Sequence, residues 1–124
     1  MKYKFGVIGD PIEHSLSPKI HNIFSKQTKI NIDYQAYHVQ ENNLDSFIRD
    51  FFRNEGDGLN VTLPHKINCL RSVNNKSSLV NLIGAANTLH SNGPGEIFAE
   101  STDGLGLVED LKDKCVISSA NILI

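Results

Sequence analysis

The stretch GLNVTLPHK, Gly58 to Lys66, decides how the chain is read. GLNVT is a short apolar run of the kind that fills a buried strand, and Pro64 suits the first position of a helix, so a strand passes directly into a helix. That junction predicts one unit of an α/β sheet. It also sets Lys66 in the helix's opening turn, where unpaired amide donors and the positive end of the helix dipole disfavour a cation. A lysine placed against its local electrostatics calls for a reason outside its own segment, and it suits proton transfer.

Working outward, KFGVIG is an apolar run closed by Gly9, Asp10 and Pro11, a strand entering a loop. Ser17 as N-cap and Pro18 as first helical residue predict a helix with Ile20, Ile23 and Phe24 on one face. IDYQAYHV alternates with period two, and NLDSFIRDFFRN repeats Leu44, Phe47, Ile48 and Phe51 at helical spacing. After Lys66, SSLVNLIG reads as a short helix. ANTLHS and EIFAEST read as strands joined by the turn formers NGPG in an antiparallel hairpin, and LVEDLK, entered through TDGLG, as a helix. The order predicts an α/β fold: a three-layer open sheet, mostly parallel with an antiparallel strand, and helices on both faces. No internal repeat or low-complexity segment interrupts it.

The 124 residues are enough for one domain with a sizeable core. With 40% hydrophobic and 21% charged residues and a net charge of -2, no polyanion-binding tail is indicated, and nucleic acid is not an expected partner. No apolar run is long enough to cross a bilayer, and MKYKFGVIGD goes straight into a strand, so no membrane association and a cytoplasmic setting are expected. Cys69 and Cys115 lack metal-ligand spacing and lie in apolar surroundings, as reduced buried thiols would. CVISSANILI ends the sequence inside an apolar, strand-like run with no turn after it, which predicts a chain cut from a longer one and an exposed strand prone to self-association.

Open α/β sheets bind ligands beyond the carboxyl ends of their parallel strands. DPIEHSLS, TLPHK and STDG follow three such strands, and the hairpin brings Asn87, at the start of its first strand, beside Asp103. Ser15, Ser17, Asn60, Thr62, Lys66, Asn87 and Asp103 are therefore expected on one rim. Plainer roles stay open: Ser17 and Asp103 as helix caps, Ser15 as a loop hydroxyl, Asn60 and Thr62 as strand-edge hydrogen bonders. His14, His21 and His65 have no metal spacing, and packing or surface roles are expected for them. TDGLGL resembles half a dinucleotide fingerprint but lacks its third glycine. A Lys66–Asp103 couple would handle a proton, Ser15 and Ser17 would donate to a carboxylate, and Asn60, Thr62 and Asn87 would hold hydroxyls, a set suited to a polyhydroxylated acid.

The segments GDPIEHSLSPKIHN, GLNVTLPHK, GAANTL and STDGLG, in this order and spacing, closely resemble the substrate-binding domain of shikimate dehydrogenase over nearly the whole chain. The resemblance implies reversible, NADP-dependent reduction of 3-dehydroshikimate to shikimate in aromatic amino-acid (chorismate) biosynthesis. It assigns the substrate carboxylate to Ser15 and Ser17, substrate contacts to Asn60, Thr62 and Asn87, and the catalytic role to Lys66 partnered by Asp103. It implies a substrate-binding catalytic domain over 1–113, and over 114–124 a linker and the first strand of a second domain that binds NADP. This chain alone is then expected to bind no NADP and to be inactive, also lacking the family's returning C-terminal helix. Ser101 and Leu107 stand where the family usually has asparagine and an aromatic residue, and Asn74 and Asn75 where acidic residues are common; Ser101 in particular would loosen the loop that aims Asp103.

A small-molecule substrate is the expected partner, with a homodimer allowed. Two alternatives remain at this stage: a quinate-accepting relative, and a non-catalytic small-acid-binding module, which would not need the lysine–aspartate couple. A protein-interaction domain is disfavoured by the polar rim.

Overall fold

The computed structural model of the chain describes residues 1–114, 118 and 121–123; Cys115 and most of the strand expected over 114–124 lie outside them. The elements run β1 (Tyr3–Gly9), α1 (Ser17–Thr28), β2 (Ile32–His38), a 3-10 turn (Glu41–Asn43), α2 (Leu44–Arg53), β3 (Gly58–Val61), a 3-10 helix (Asn68–Ser72), β4 (Asn75–Lys76), α3 (Ser78–Ile83), β5 (Thr88–Ser91), β6 (Ile97–Glu100) and α4 (Asp103–Lys112). The sheet order is β2-β1-β3-β5-β6-β4. β1 pairs parallel with β2 and β3, β5 runs antiparallel to β3 and β6, and β4 pairs parallel with β6. β4, two residues long, lacks the apolar run by which the longer strands are legible.

Strand alternation divides the apolar side chains between two faces. Ile8, Leu59, Val61, Leu89, Ile97 and Ala99 meet Leu44, Ile48 and Phe51 of α2, Cys69 of the 3-10 helix and Val80 of α3 in the main core. Each large apolar side chain among them contributes about 1.5–3 kcal/mol on burial. Val7, Ile12 and Tyr34, with Phe5 and Ile32 against them, form a smaller cluster on the other face. There α1 packs chiefly on β2 and β1. Its stripe of Ile20, Ile23 and Phe24 lies on one face as the spacing predicts but is not buried, each side chain being more than 40% exposed. Gly6 sits where a Cβ would come 2.5 Å from the Tyr37 ring, so the small residue is what lets that ring lie across β1.

The structure corrects the reading of the decisive stretch. Pro64 opens no helix: residues 63–67 pass through turns, and the 3-10 helix starts only at Asn68. The Lys66 carbonyl, which would accept a helical bond from Leu70, accepts instead from the Ala86 amide at 2.8 Å, while the Leu70 amide turns to Ile67. The Cys69 amide does donate to the His65 carbonyl at 2.9 Å, but the tertiary bond takes the next rung, so no regular helix runs on from Pro64. Lys66 lies before the helix, and the helix-dipole argument for it lapses.

Candidate active site

The carboxyl ends of β1, β3 and β6 and the start of β5 converge on one edge, and a cleft of about 420 Å³ opens over it. All seven side chains singled out in the sequence line this cleft, as do His14 and His21. Their convergence follows from topology: the Val61 amide donates to the Asn87 carbonyl at 2.8 Å and the Asn87 amide to the Glu100 carbonyl at 3.2 Å, which sets β3, the start of β5 and the end of β6 side by side.

At the centre, Lys66 Nζ donates to Asp103 Oδ2 at 2.5 Å. The pair is half open to solvent, so its stabilising contribution is small and its interest is chemical. Asp103 Oδ1 accepts from Asn87 Nδ2 at 2.9 Å. The other Asn87 amide hydrogen goes to Thr102 Oγ1 at 2.9 Å, and Asn87 Oδ1 accepts from the Thr102 amide and the Thr88 hydroxyl, each at 3.0 Å. Every donor and acceptor of that carboxamide is engaged.

On the facing wall, Ser15 Oγ accepts from the Ser17 amide at 3.2 Å, and its hydroxyl hydrogen has no acceptor among the described residues. Ser17 is the first residue of α1 and not its N-cap; Leu16 holds that position and makes no side-chain cap. Asp103 likewise is the first residue of α4, with Thr102 before it, and its carboxylate is spent across the cleft instead of on its own helix. The cap roles left open for Ser17 and Asp103 are therefore both unfilled. Asn60 Oδ1 accepts from the Tyr34 hydroxyl at 2.7 Å, a side-chain contact and not a strand-edge one. Thr62 fixes the loop through its backbone, its amide donating to Ile8 and its carbonyl accepting from His65, and its hydroxyl has no partner among the described residues.

His65 is packed, as expected: it is fully buried, with Nε2 2.5 Å from the Val39 carbonyl and Nδ1 without a partner among the described residues. His14 is exposed and His21 packs on a neighbouring ring, in keeping with the surface and packing roles expected, and both also line the cleft. The His21 ring lies flat on Tyr34, centroids 4.2 Å apart, and burial lowers its pKa. Cys69 is buried and its thiol is pushed up to about 11 by desolvation, the state of an inert core thiol. Ser101 does not leave its loop slack: it is buried, its amide donates to Glu100 Oε1 at 3.0 Å, and Asn87 holds the next residue from both sides. Tyr34, Thr88 and Thr102 are the hydrogen-bonding neighbours of the cleft side chains that sequence reasoning missed. Thr102 directly precedes Asp103, whereas nothing in IDYQAYHV distinguishes Tyr34 from a core aromatic.

Among the described residues, no group of three or more His, Cys, Asp or Glu side chains is placed to hold a metal ion, and no helix is long and apolar enough to cross a membrane.

Residues 7–89 match the family described as the shikimate dehydrogenase substrate binding domain. A shikimate dehydrogenase (NADP(+)) of Legionella pneumophila (strain Lens) is 40% identical over 124 residues, all of this chain and 46% of that protein. One from Idiomarina loihiensis is 43% identical over 109 residues, 88% of this chain and 39% of that protein. Among solved structures, the shikimate 5-dehydrogenase of Thermus thermophilus in complex with shikimate matches with a TM-score of 0.84 at 32% identity, covering 90% of this chain and 42% of its own. The chain spans less than half the length of these relatives.

Proposed function

We propose a function from one premise: the chain belongs to the shikimate dehydrogenase substrate binding domain family. It is the substrate-binding half of an NADP-dependent shikimate dehydrogenase of the cytoplasm, taking shikimate and 3-dehydroshikimate in its cleft, with residues 1–113 as the substrate domain and 114–124 as the link to a second one. The observation that carries this reading is the Lys66–Asp103 contact at 2.5 Å inside a cleft otherwise lined by hydroxyls and amides.

The cofactor's place is outside the described residues. Gly104 and Gly106 lie within α4 and not in a strand-to-helix turn, and a Cβ at either would meet nothing within 4 Å among the described residues, so neither glycine forms a close phosphate cradle there. The chain's own residues account for the rest. Ser15 and Ser17 face the substrate carboxylate, while Asn60 and Thr62 hold ring oxygens. During reduction the carbonyl oxygen gathers negative charge, and the Lys66 ammonium delivers a proton to it. Asp103 holds that ammonium in place, and in the reverse direction the couple takes the proton from the hydroxyl. Metered proton transfer at one oxygen explains why an ammonium and a carboxylate are brought together here.

Two measurements on the 124-residue chain test the reading. A shikimate titration followed by NMR should saturate with shifts at the cleft residues, and saturation elsewhere, or none, would refute it. A parallel quinate titration decides between the two acids. An NADP reduction assay with shikimate should show no turnover by the chain alone; turnover would contradict the division of labour.

A further inference from the structure

Tyr34 stands on β2 and Asn60 on β3, 26 positions apart with β1 between them. The register pairs Phe5 with Tyr34 and Val7 with Asn60, so the phenol reaches diagonally over β1 to the cleft floor. It is 5% exposed, packed with Val7 and Ile12, and covered by the His21 ring. We infer that Tyr34 is a positioning residue: its hydroxyl donates to Asn60 Oδ1 at 2.7 Å, fixing the carboxamide so that its NH2 is the group turned toward a ligand in the cleft.

Three features support it. Burial pushes the Tyr34 phenol up to about 12, with a hydrogen bond from Ser17 opposing, so the group stays a neutral donor across the neutral pH range. Asn60 Nδ2 has no hydrogen-bond partner among the described residues although Asn60 lines the cleft. Asn87, by contrast, has its whole amide engaged, which leaves Asn60 as the carboxamide with free donors. Turning Asn60 over would set its NH2 against the phenol and cost the Tyr34 hydrogen its 2.7 Å acceptor, so that the Ser17 hydroxyl would have to reverse its own bond to accept it. The ligand atom opposite Asn60 must then be an acceptor, a hydroxyl or keto oxygen offering a lone pair. An analogue with an ammonium there would be refused. This rests on the proposed shikimate-class ligand, but the amide's orientation is a property of the free chain.

The test is an NMR titration of the 124-residue chain with shikimate in a double-mutant cycle. Tyr34→Phe keeps the ring and should weaken binding about 3- to 10-fold, the loss expected for one organising hydrogen bond. In an Asn60→Ala background the same change should cost less than about 2-fold, since Tyr34 would have nothing left to orient. An equal cost in both backgrounds means a merely structural tyrosine and overturns the inference. Asn60→Asp, which keeps the shape but puts an oxygen where the NH2 was, should weaken binding about 10-fold or more; parent-like affinity overturns it without reference to Tyr34→Phe. Ligand-free spectra separate failure here from failure of the shikimate reading. The Asn60 side-chain NH2 signals should report one fixed orientation in the parent and rotational averaging in Tyr34→Phe, and signals unchanged by the substitution overturn the inference whether or not shikimate binds.

Discussion

Asn87 holds Asp103 from sixteen positions away, its Nδ2 donating to Oδ1 at 2.9 Å while Oδ2 is left to Lys66. Because Thr102 and Thr88 occupy the rest of the Asn87 amide, the carboxamide is a bracket between β5 and the start of α4. In the free chain its work is to set the aspartate's direction, and engaging a ligand hydroxyl requires it to exchange one of these four bonds.

Lys66 is the first residue to change. In the full enzyme proposed above, Lys66→Ala should lower kcat about 10²- to 10⁴-fold with a much smaller change in KM, because proton transfer matters in the transition state more than in binding. Lys66→Arg should not restore the rate, since a guanidinium keeps its protons. Steady-state kinetics in both directions make the measurement, and a rate within a few-fold of the parent would end the assignment.

The bracket predicts a graded effect. Asn87→Ala frees the Asp103 rotamer and should lower kcat about 10-fold, while Asn87→Asp sets a second carboxylate 2.9 Å from the first and should lower it further through like-charge repulsion. Kinetics on variants with parent-like thermal melts check this, and Asn87→Asp matching or exceeding the parent would contradict it.

The hairpin, the sheet class and the meeting of Asn87 with Asp103 are legible in the sequence because each depends on strand direction alone. TLPHK misleads because Pro64 signals a helix start locally, whereas the Lys66 carbonyl is claimed by Ala86, which lies 20 residues further on. Ser17 and Asp103 carry strong cap signals for the same reason, and both side chains face the cleft instead. Local propensity is overridden where long-range contacts build a site. Tyr34 is invisible in sequence because a core aromatic and a positioning phenol look alike until the partner of the hydroxyl is known.

Two glycines near the site should respond oppositely to alanine. A Cβ at Gly9 would lie 2.6 Å from the Thr62 methyl and 3.2 Å from the Leu63 carbonyl oxygen, so Gly9→Ala should push the β1 and β3 loops apart, costing about 1–3 kcal/mol and weakening shikimate binding. At Gly106, inside α4, an added Cβ meets nothing among the described residues, and Gly106→Ala should stabilise the helix by about 0.5–1 kcal/mol. Urea unfolding of the two variants decides it, and a neutral Gly9→Ala would show that the loops are not packed as described.

Alkali should unfold the chain through two buried acids. Tyr34 is raised from 10.0 to about 12 and Cys69 from 9.0 to about 11, in both cases chiefly by burial. Both are therefore protonated in the folded chain at pH values where the unfolded chain has begun to ionise. Their contribution is fully present below about pH 8, declines as the unfolded groups lose protons, and is gone once pH passes the folded values near 11 and 12. A shift of this size corresponds to about 1–3 kcal/mol for each group. The urea midpoint should fall between about pH 8 and about pH 11.5, and it should fall less in Tyr34→Phe, which has no phenol to ionise. The stability gap between parent and Tyr34→Phe should thus move in favour of phenylalanine as pH rises; a gap that stays constant across the range would mean that the Tyr34 hydroxyl is not held in a buried, neutral state.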